Sequence, residues 1–193
     1  MDEIENFRAR VARNIRNIGA DADFLGMSNI WIRESIRHEY AQNFTWLGRP
    51  VIQVPQDQYA IQELIWACRP DLVIETGVAH GGSLILSASL LAMLDYCDAV
   101  AAGAVLDPKA SRRKVAGVDI DIRAHNRAAI EAHPLAHKIS LIQGSSVDEA
   151  VFAQVKALAQ GHERIMIFLD SNHTHDHVLA ELELYAPLTS KGS

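Results

Sequence analysis

Cysteine is scarce in this chain: Cys68 and Cys97 are the two present, far apart and without CxxC spacing. That excludes a disulfide framework and a cysteine-held zinc site, and it fits a reduced compartment in which both are core residues. A basic excess is also missing. Lys plus Arg number 18 against 24 Asp plus Glu, a net charge of −6, whereas nucleic acid or an anionic membrane surface requires clustered Lys and Arg. Small molecules are the expected partners, with no nucleic acid and no membrane. The start, MDEIENFRAR, has no apolar segment after a basic opening, and the longest apolar run, LLAML with its neighbours, falls short of the roughly 20 residues that cross a bilayer. A cytoplasmic location is expected. Repeats, low-complexity tracts and Pro/Gly/Ser-rich linkers are absent too, which leaves no compositional reason to cut the chain in two.

What is present is apolar content enough for one globular core, 49% of 193 residues. Ile4, Phe7, Val11, Ile15 and Ile18 recur at spacings of three and four, so residues 4–18 read as an amphipathic helix. Gly48, Pro50 and Pro55 make the stretch FTWLGRPVIQVPQDQ irregular, and Asp57 is placed to cap a helix that stops at Arg69 and Pro70. Short apolar strands then alternate with helices. The strands are DLVIET (71–76), KVAGVD (114–119), KISLIQ (138–143) and RIMIFLD (164–170); the helices follow at about 82–94, 123–132, 147–159 and 174–185, with 99–113 as an extended connection. Consecutive βα units predict an α/β fold, a Rossmann-like parallel sheet covered by helices on both faces.

In such sheets ligands bind beyond the carboxyl ends of the strands. Those ends carry Glu75, Thr76, Gly77, Gly81, Gly82 and Ser83; then Asp119 and Asp121; then Gly144, Ser145 and Ser146; then Asp170, Ser171, Asn172 and His173. Three glycines within GVAHGG suggest a ligand against the main chain, but Ala79 stands where a dinucleotide fingerprint needs its second glycine. An acid at the end of the first strand also opposes a pyrophosphate and suits a cationic ligand such as S-adenosylmethionine. Asp119 is placed for ribose hydroxyls, and Asp121 for capping the next helix.

The segments WLGRPVIQVPQDQYAIQELIWACRPDLVIETGVAHGGS, VAGVDIDIRAHNRAAI, ISLIQGSSVD and IFLDSNHTHDHVLAELELYAPL together resemble the cephalosporin hydroxylase family, which includes cephalosporin methoxylases and sugar O-methyltransferases. The resemblance runs from about Trp46 to the last residue. It implies a class I S-adenosylmethionine-dependent methyltransferase acting on a hydroxyl of a small molecule such as a sugar or secondary metabolite, with magnesium beside the acceptor. The expected division is an N-terminal helical and irregular segment, 1–56, and an incomplete cofactor-binding methyltransferase domain, 57–193. By position the resemblance assigns Glu75, Gly77, His80, Gly81, Gly82, Ser83, Asp119, Ser145 and Ser146 to the cofactor, Asp170 to the metal and His173 to deprotonating the acceptor. An imidazole suits general-base work near neutral pH. Substituting Gly81 or Gly82 by valine is expected to block the ligand at modest cost in stability.

The family's sheet has seven strands, and four are found here, so the expectation is a chain that ends early, binds magnesium poorly and forms a homo-oligomer across an exposed strand edge. Two further readings stand beside it. One is a nucleoside-binding or inactive fragment. The other is a metallohydrolase built on His173, His175 and His177, although on a helix His173 and His177 share a face and His175 does not; His177 then packs behind the site.

Overall fold

The computed structural model describes residues 2–190, and the chain separates into two compact units between Ala41 and Gln42. Residues 42–56, grouped by sequence with the N-terminal segment, thus fall in the second unit. In the first, α1 (Glu3–Ala20) matches the amphipathic pattern, and α2 (Ala22–Arg37) was not anticipated. Asp21 separates them and caps α2, its carboxylate accepting the Phe24 N–H at 2.9 Å. Apolar residues of α2 spread over a broad face of the helix (Phe24, Leu25, Met27, Ile30, Trp31, Ile32 and Ile36) and so give no narrow stripe to read. Neither helix buries any residue.

The second unit opens with a hairpin, β1 (Phe44–Trp46) and β2 (Arg49–Val51), paired antiparallel with Trp46 opposite Arg49. Leu47 and Gly48 both take positive φ, as a two-residue hairpin turn requires. Helix α3 (Pro55–Cys68) starts at Pro55, not beyond Asp57, because a proline at the first helical position loses no hydrogen bond. Asp57 lies inside the first turn, where its charge meets the positive end of the helix dipole. Arg69 ends the helix in a left-handed conformation, φ 49°.

Four parallel strands follow: β3 (Leu72–Thr76), β4 (Lys114–Asp119), β5 (Ile139–Gln143) and β6 (Ile165–Leu169), in the order β5-β4-β3-β6. Their connections contain α4 (Gly82–Ala102), α5 (Ala124–Glu131) and α6 (Glu149–Ala159), and α7 (His175–Tyr185) follows β6. Side-chain alternation sorts the core into two layers. Val73, Val115 and Met166 pack with Ile65 of α3, Leu84, Leu91 and Leu94 of α4 and Ile130 of α5. Leu72, Ile74, Ala116, Val118, Ile142 and Ile165 pack on the opposite face with Val151 and Val155 of α6 and Tyr185 of α7. The sheet is therefore covered on both faces.

Helix α4 runs eight residues past Leu94, the end expected from sequence, to a left-handed Gly103. At 21 residues it is long and apolar enough to cross a membrane by length and composition, which corrects the expectation that no segment is. Leu84, Ile85, Leu86, Leu91 and Leu94 spend that apolarity in the core. Among the described residues β5 and β6 are the two sheet edges.

Candidate active site

Chain order places β3 centrally, with β4 on one side and β6 on the other, so the strand order reverses between β3 and β6 and opens a crevice at their carboxyl ends. A cavity of about 450 Å³ lies there. Its walls take residues from every strand end and from the hairpin: Gly77, His80 and Ser83 after β3, Asp119 at the end of β4, Ser145 and Ser146 after β5, Asp170 and His173 after β6, and Pro50 to Gln53 in and just after β2.

The loop from Gly77 to Gly81 is held in an unusual path by its neighbours. Gly77 and Gly81 have φ of 92° and 81°, and Ala79 adopts 45° despite its side chain. Asp119 fixes it from below: its Oδ2 accepts the N–H of Val78 at 2.7 Å and of Ala79 at 3.2 Å, and its Oδ1 that of Asp121 at 2.9 Å. Buried Asn126 on α5 donates to the Ala79 carbonyl at 2.9 Å, and Arg49 donates to the His80 carbonyl at 3.0 Å and to Asn126 at 3.2 Å. The alanine that breaks the dinucleotide fingerprint is thus clamped at both its N–H and its C=O. Arg49 and Asn126 were not among the expected residues; a buried amide on a helix facing a strained loop has no sequence pattern of its own.

Three expectations need correction in geometry. Gly81 does not line the cavity, and a Cβ there would overlap Ile130, while one on Gly82 would overlap the Pro50 carbonyl. These glycines allow α5 and the hairpin to pack close, so valine at either would strike the fold before the ligand. Glu75 also lies beneath the cavity wall, 3% exposed, accepting a hydrogen bond from the Ser83 hydroxyl. Burial above all pushes its carboxyl up to about 8; the Ser83 hydrogen bond opposes this and the charge of Asp170 adds to it. Asp121 caps nothing, since α5 is preceded by Arg123 at the cap position without a side-chain bond.

At the β6 end, Nε2 of His173 lies 3.0 Å from Oδ1 of Asp170, both side chains at least half exposed. The three histidines do not converge. His175 is 86% exposed against Asp176, whereas His177 lines the cavity with Nε2 at 3.1 Å from Ser146 Oγ and 3.2 Å from Ser171 Oγ. Behind it Glu181 is fully buried, accepting from Ser171 at 2.7 Å and leaving Oε2 unpartnered. His177 therefore belongs to the cavity wall and not behind it. Among the described residues no group of three or more His, Cys, Asp or Glu side chains could hold a metal ion. Asp170 is the one strand-end carboxylate beside His173.

A parallel sheet with this order, a glycine-bearing loop after β3 and an acid ending β4 makes a Rossmann-like nucleoside-binding fold. Its particular branch follows from comparison: residues 38–193 match the rhamnosyl O-methyltransferase/CmcI family model, and the chain belongs to that family. Rhamnosyl O-methyltransferase of Mycobacterium tuberculosis (strain ATCC 25618 / H37Rv) is 28% identical over 153 residues, 77% of this chain and 53% of that protein. The Mycobacterium leprae (strain TN) protein of the same name is 28% identical over 167 residues, 83% of this chain and 64% of its own length. The chain thus spans about half to two thirds of these relatives. A solved CmcI structure with SAH aligns at a TM-score of 0.51 and 19% identity, covering 79% of this chain and 64% of that one, a likeness of fold.

Proposed function

We propose that this chain carries the cofactor site of an S-adenosylmethionine-dependent O-methyltransferase acting on a hydroxyl of a sugar-type small molecule. The observation that supports this best is the charge of the cavity. Asp119 and Asp170 line it, and no Lys or Arg is among its described lining residues. A dinucleotide pyrophosphate would meet carboxylates there, whereas a sulfonium and an ammonium are drawn to them. The names of the relatives, rhamnosyl O-methyltransferases, favour a sugar hydroxyl.

The residues divide the work along the crevice. Asp119 spends three acceptor positions on main-chain N–H groups, and a carboxylate offers about four, so one remains for a ribose hydroxyl. Ser145 and Ser146 border the adenine end. At the other end Asp170 accepts the Nε2 proton of His173, which leaves Nδ1 as the lone pair that takes the acceptor's proton. The freed oxygen attacks the methyl carbon in line, the C–S bond breaks with its electron pair passing to sulfur, and the neutral thioether leaves. Holding both reactants at near-attack distance supplies much of the acceleration. No step above depends on a metal ion.

Calorimetric titration with S-adenosylmethionine and NAD in parallel tests the reading. Saturable binding of the first and not the second, weakened by Asp119→Ala in a protein that still unfolds cooperatively, supports it; NAD binding, or neither, refutes it. Transfer of a labelled methyl group to simple rhamnosides then separates an enzyme from a binding module.

A further inference from the structure

Helix α1 exposes Ile4, Phe7, Val11, Ile15 and Ile18, each by more than a third. Their spacing is three, four, four and three residues, which places them on one stripe of a helix with 3.6 residues per turn. The spacing reads the same from either end, with Val11 at the centre. A copy of α1 laid antiparallel therefore matches the stripe to itself, Ile4 against Ile18 and Phe7 against Ile15, as a two-fold interface demands when residue i meets j and j meets i. The charges run in the same sense. Asp2, Glu3 and Glu5 occupy the start of the helix, and Arg8, Arg10, Arg13 and Arg16 the remainder. An antiparallel copy brings the acids of one helix alongside Arg13 and Arg16 of the other; a parallel copy sets like charge on like. Arg10 already stacks over the Phe7 ring at 5.5 Å, and so covers one flank of the stripe without closing it. The exposed apolar residues of α2 show no such symmetry.

We propose that α1 is a self-association surface on which two copies of this chain pair antiparallel about an axis at Val11. A basic amphipathic helix can also lie on an anionic bilayer, but the acids at its start oppose that, and a palindromic stripe is not something a bilayer requires.

Sedimentation of the full chain at micromolar concentration should give a mass at least twice that of one copy, falling by half in Val11→Arg and in Ile15→Asp. S-adenosylmethionine affinity and the unfolding midpoint of the second unit should stay unchanged, which separates a lost interface from a lost fold. Cysteine pairing fixes the register. Under mild oxidation Val11→Cys should cross-link to itself, while Ile4→Cys should cross-link in a mixture with Ile18→Cys and not alone, relative to the unsubstituted chain with its Cys68 and Cys97. A monomer at those concentrations, a mass unaltered by both substitutions, or self-cross-linking of Ile4→Cys would overturn the proposal. So would a monomer that binds phosphatidylglycerol vesicles and loses them in Val11→Arg, which would assign the stripe to lipid.

Discussion

At the amino end of the sheet, charges of opposite sign meet; at the carboxyl end, acidic side chains gather without Lys or Arg. Just before β5, buried Lys138 donates to Asp95 and Ser111, and just before β4, Arg113 donates to Asp95 at 2.7 Å and Asp98 at 2.8 Å. Asp71, just before β3, accepts the N–H groups of Glu163 and Arg164 at 3.0 and 2.9 Å. Across the sheet, Glu75, Asp119, Asp170 and Glu181 find hydroxyls, histidines and main-chain N–H groups instead. One end is arranged to hold the strands together. The other gathers acidic groups without Lys or Arg partners around a cavity, and the burial that raises the Glu75 carboxyl is a cost in stability.

Lys138→Met should have the largest effect. It strips a nearly inaccessible ion pair of one member, and breaking such a pair costs about 4 kcal/mol, so urea unfolding should shift strongly while cofactor affinity per folded molecule holds. Equal stability would mean that the amino end is not tied by charge.

Glu75→Gln should act in the opposite direction and depend on pH. The folded pKa is raised from 4.5 to about 8, so between these values the folded state keeps a proton that the unfolded state has released, and stability falls as pH rises. At about 1.4 kcal/mol per pKa unit, and allowing for relaxation, the variant should exceed the parent by about 3 kcal/mol at pH 9 and by nothing near pH 4.5. Parallel stability curves across that range would show that Glu75 is not a strained group.

Asp119→Ala should release the loop and weaken S-adenosylmethionine binding by about 1.5 to 3 kcal/mol, the usual range for hydrogen bonds to a charged group, with Asp121→Ala as an exposed control that changes nothing. Calorimetry on both variants reads the difference; equal losses would move the anchor from the carboxylate to the loop backbone. Smallest is Tyr185→Phe, which removes the 2.9 Å hydrogen bond from a buried hydroxyl to the Ser146 carbonyl. About 1 kcal/mol of stability should go, visible as a few degrees in Tm.

Strands and strand ends were legible because period-two and continuous apolar runs carry their own signal: KVAGVD coincides with β4, β3 and β5 each lack the first residue of their runs, and β6 lacks one residue at each end. Helix limits were less so. The apolar stretch of α4 continues past Leu94 without a breaker until Gly103, while the apolar residues of α2 spread over a broad face and not a narrow stripe. For the site, chemistry at the strand ends was readable, but whether a residue reaches the cavity was not. Gly81 and Glu75 follow the same pattern as Gly77 and Ser83 and lie behind the wall.

Local pattern thus determined the order of elements, the parallel sheet and the set of residues gathered at its carboxyl edge, because periodicity and strand polarity are properties of neighbouring residues. Tertiary structure alone decided that Arg49 of the hairpin and Asn126 of α5 clamp a strained Ala79. It alone placed His177 in the cavity wall beside Ser146 and buried Glu75 deeply enough to raise its carboxyl to about 8. Each of these depends on atoms brought together from distant parts of the chain, and burial, which sets the energy of a charge, belongs to that assembly and not to any stretch of sequence.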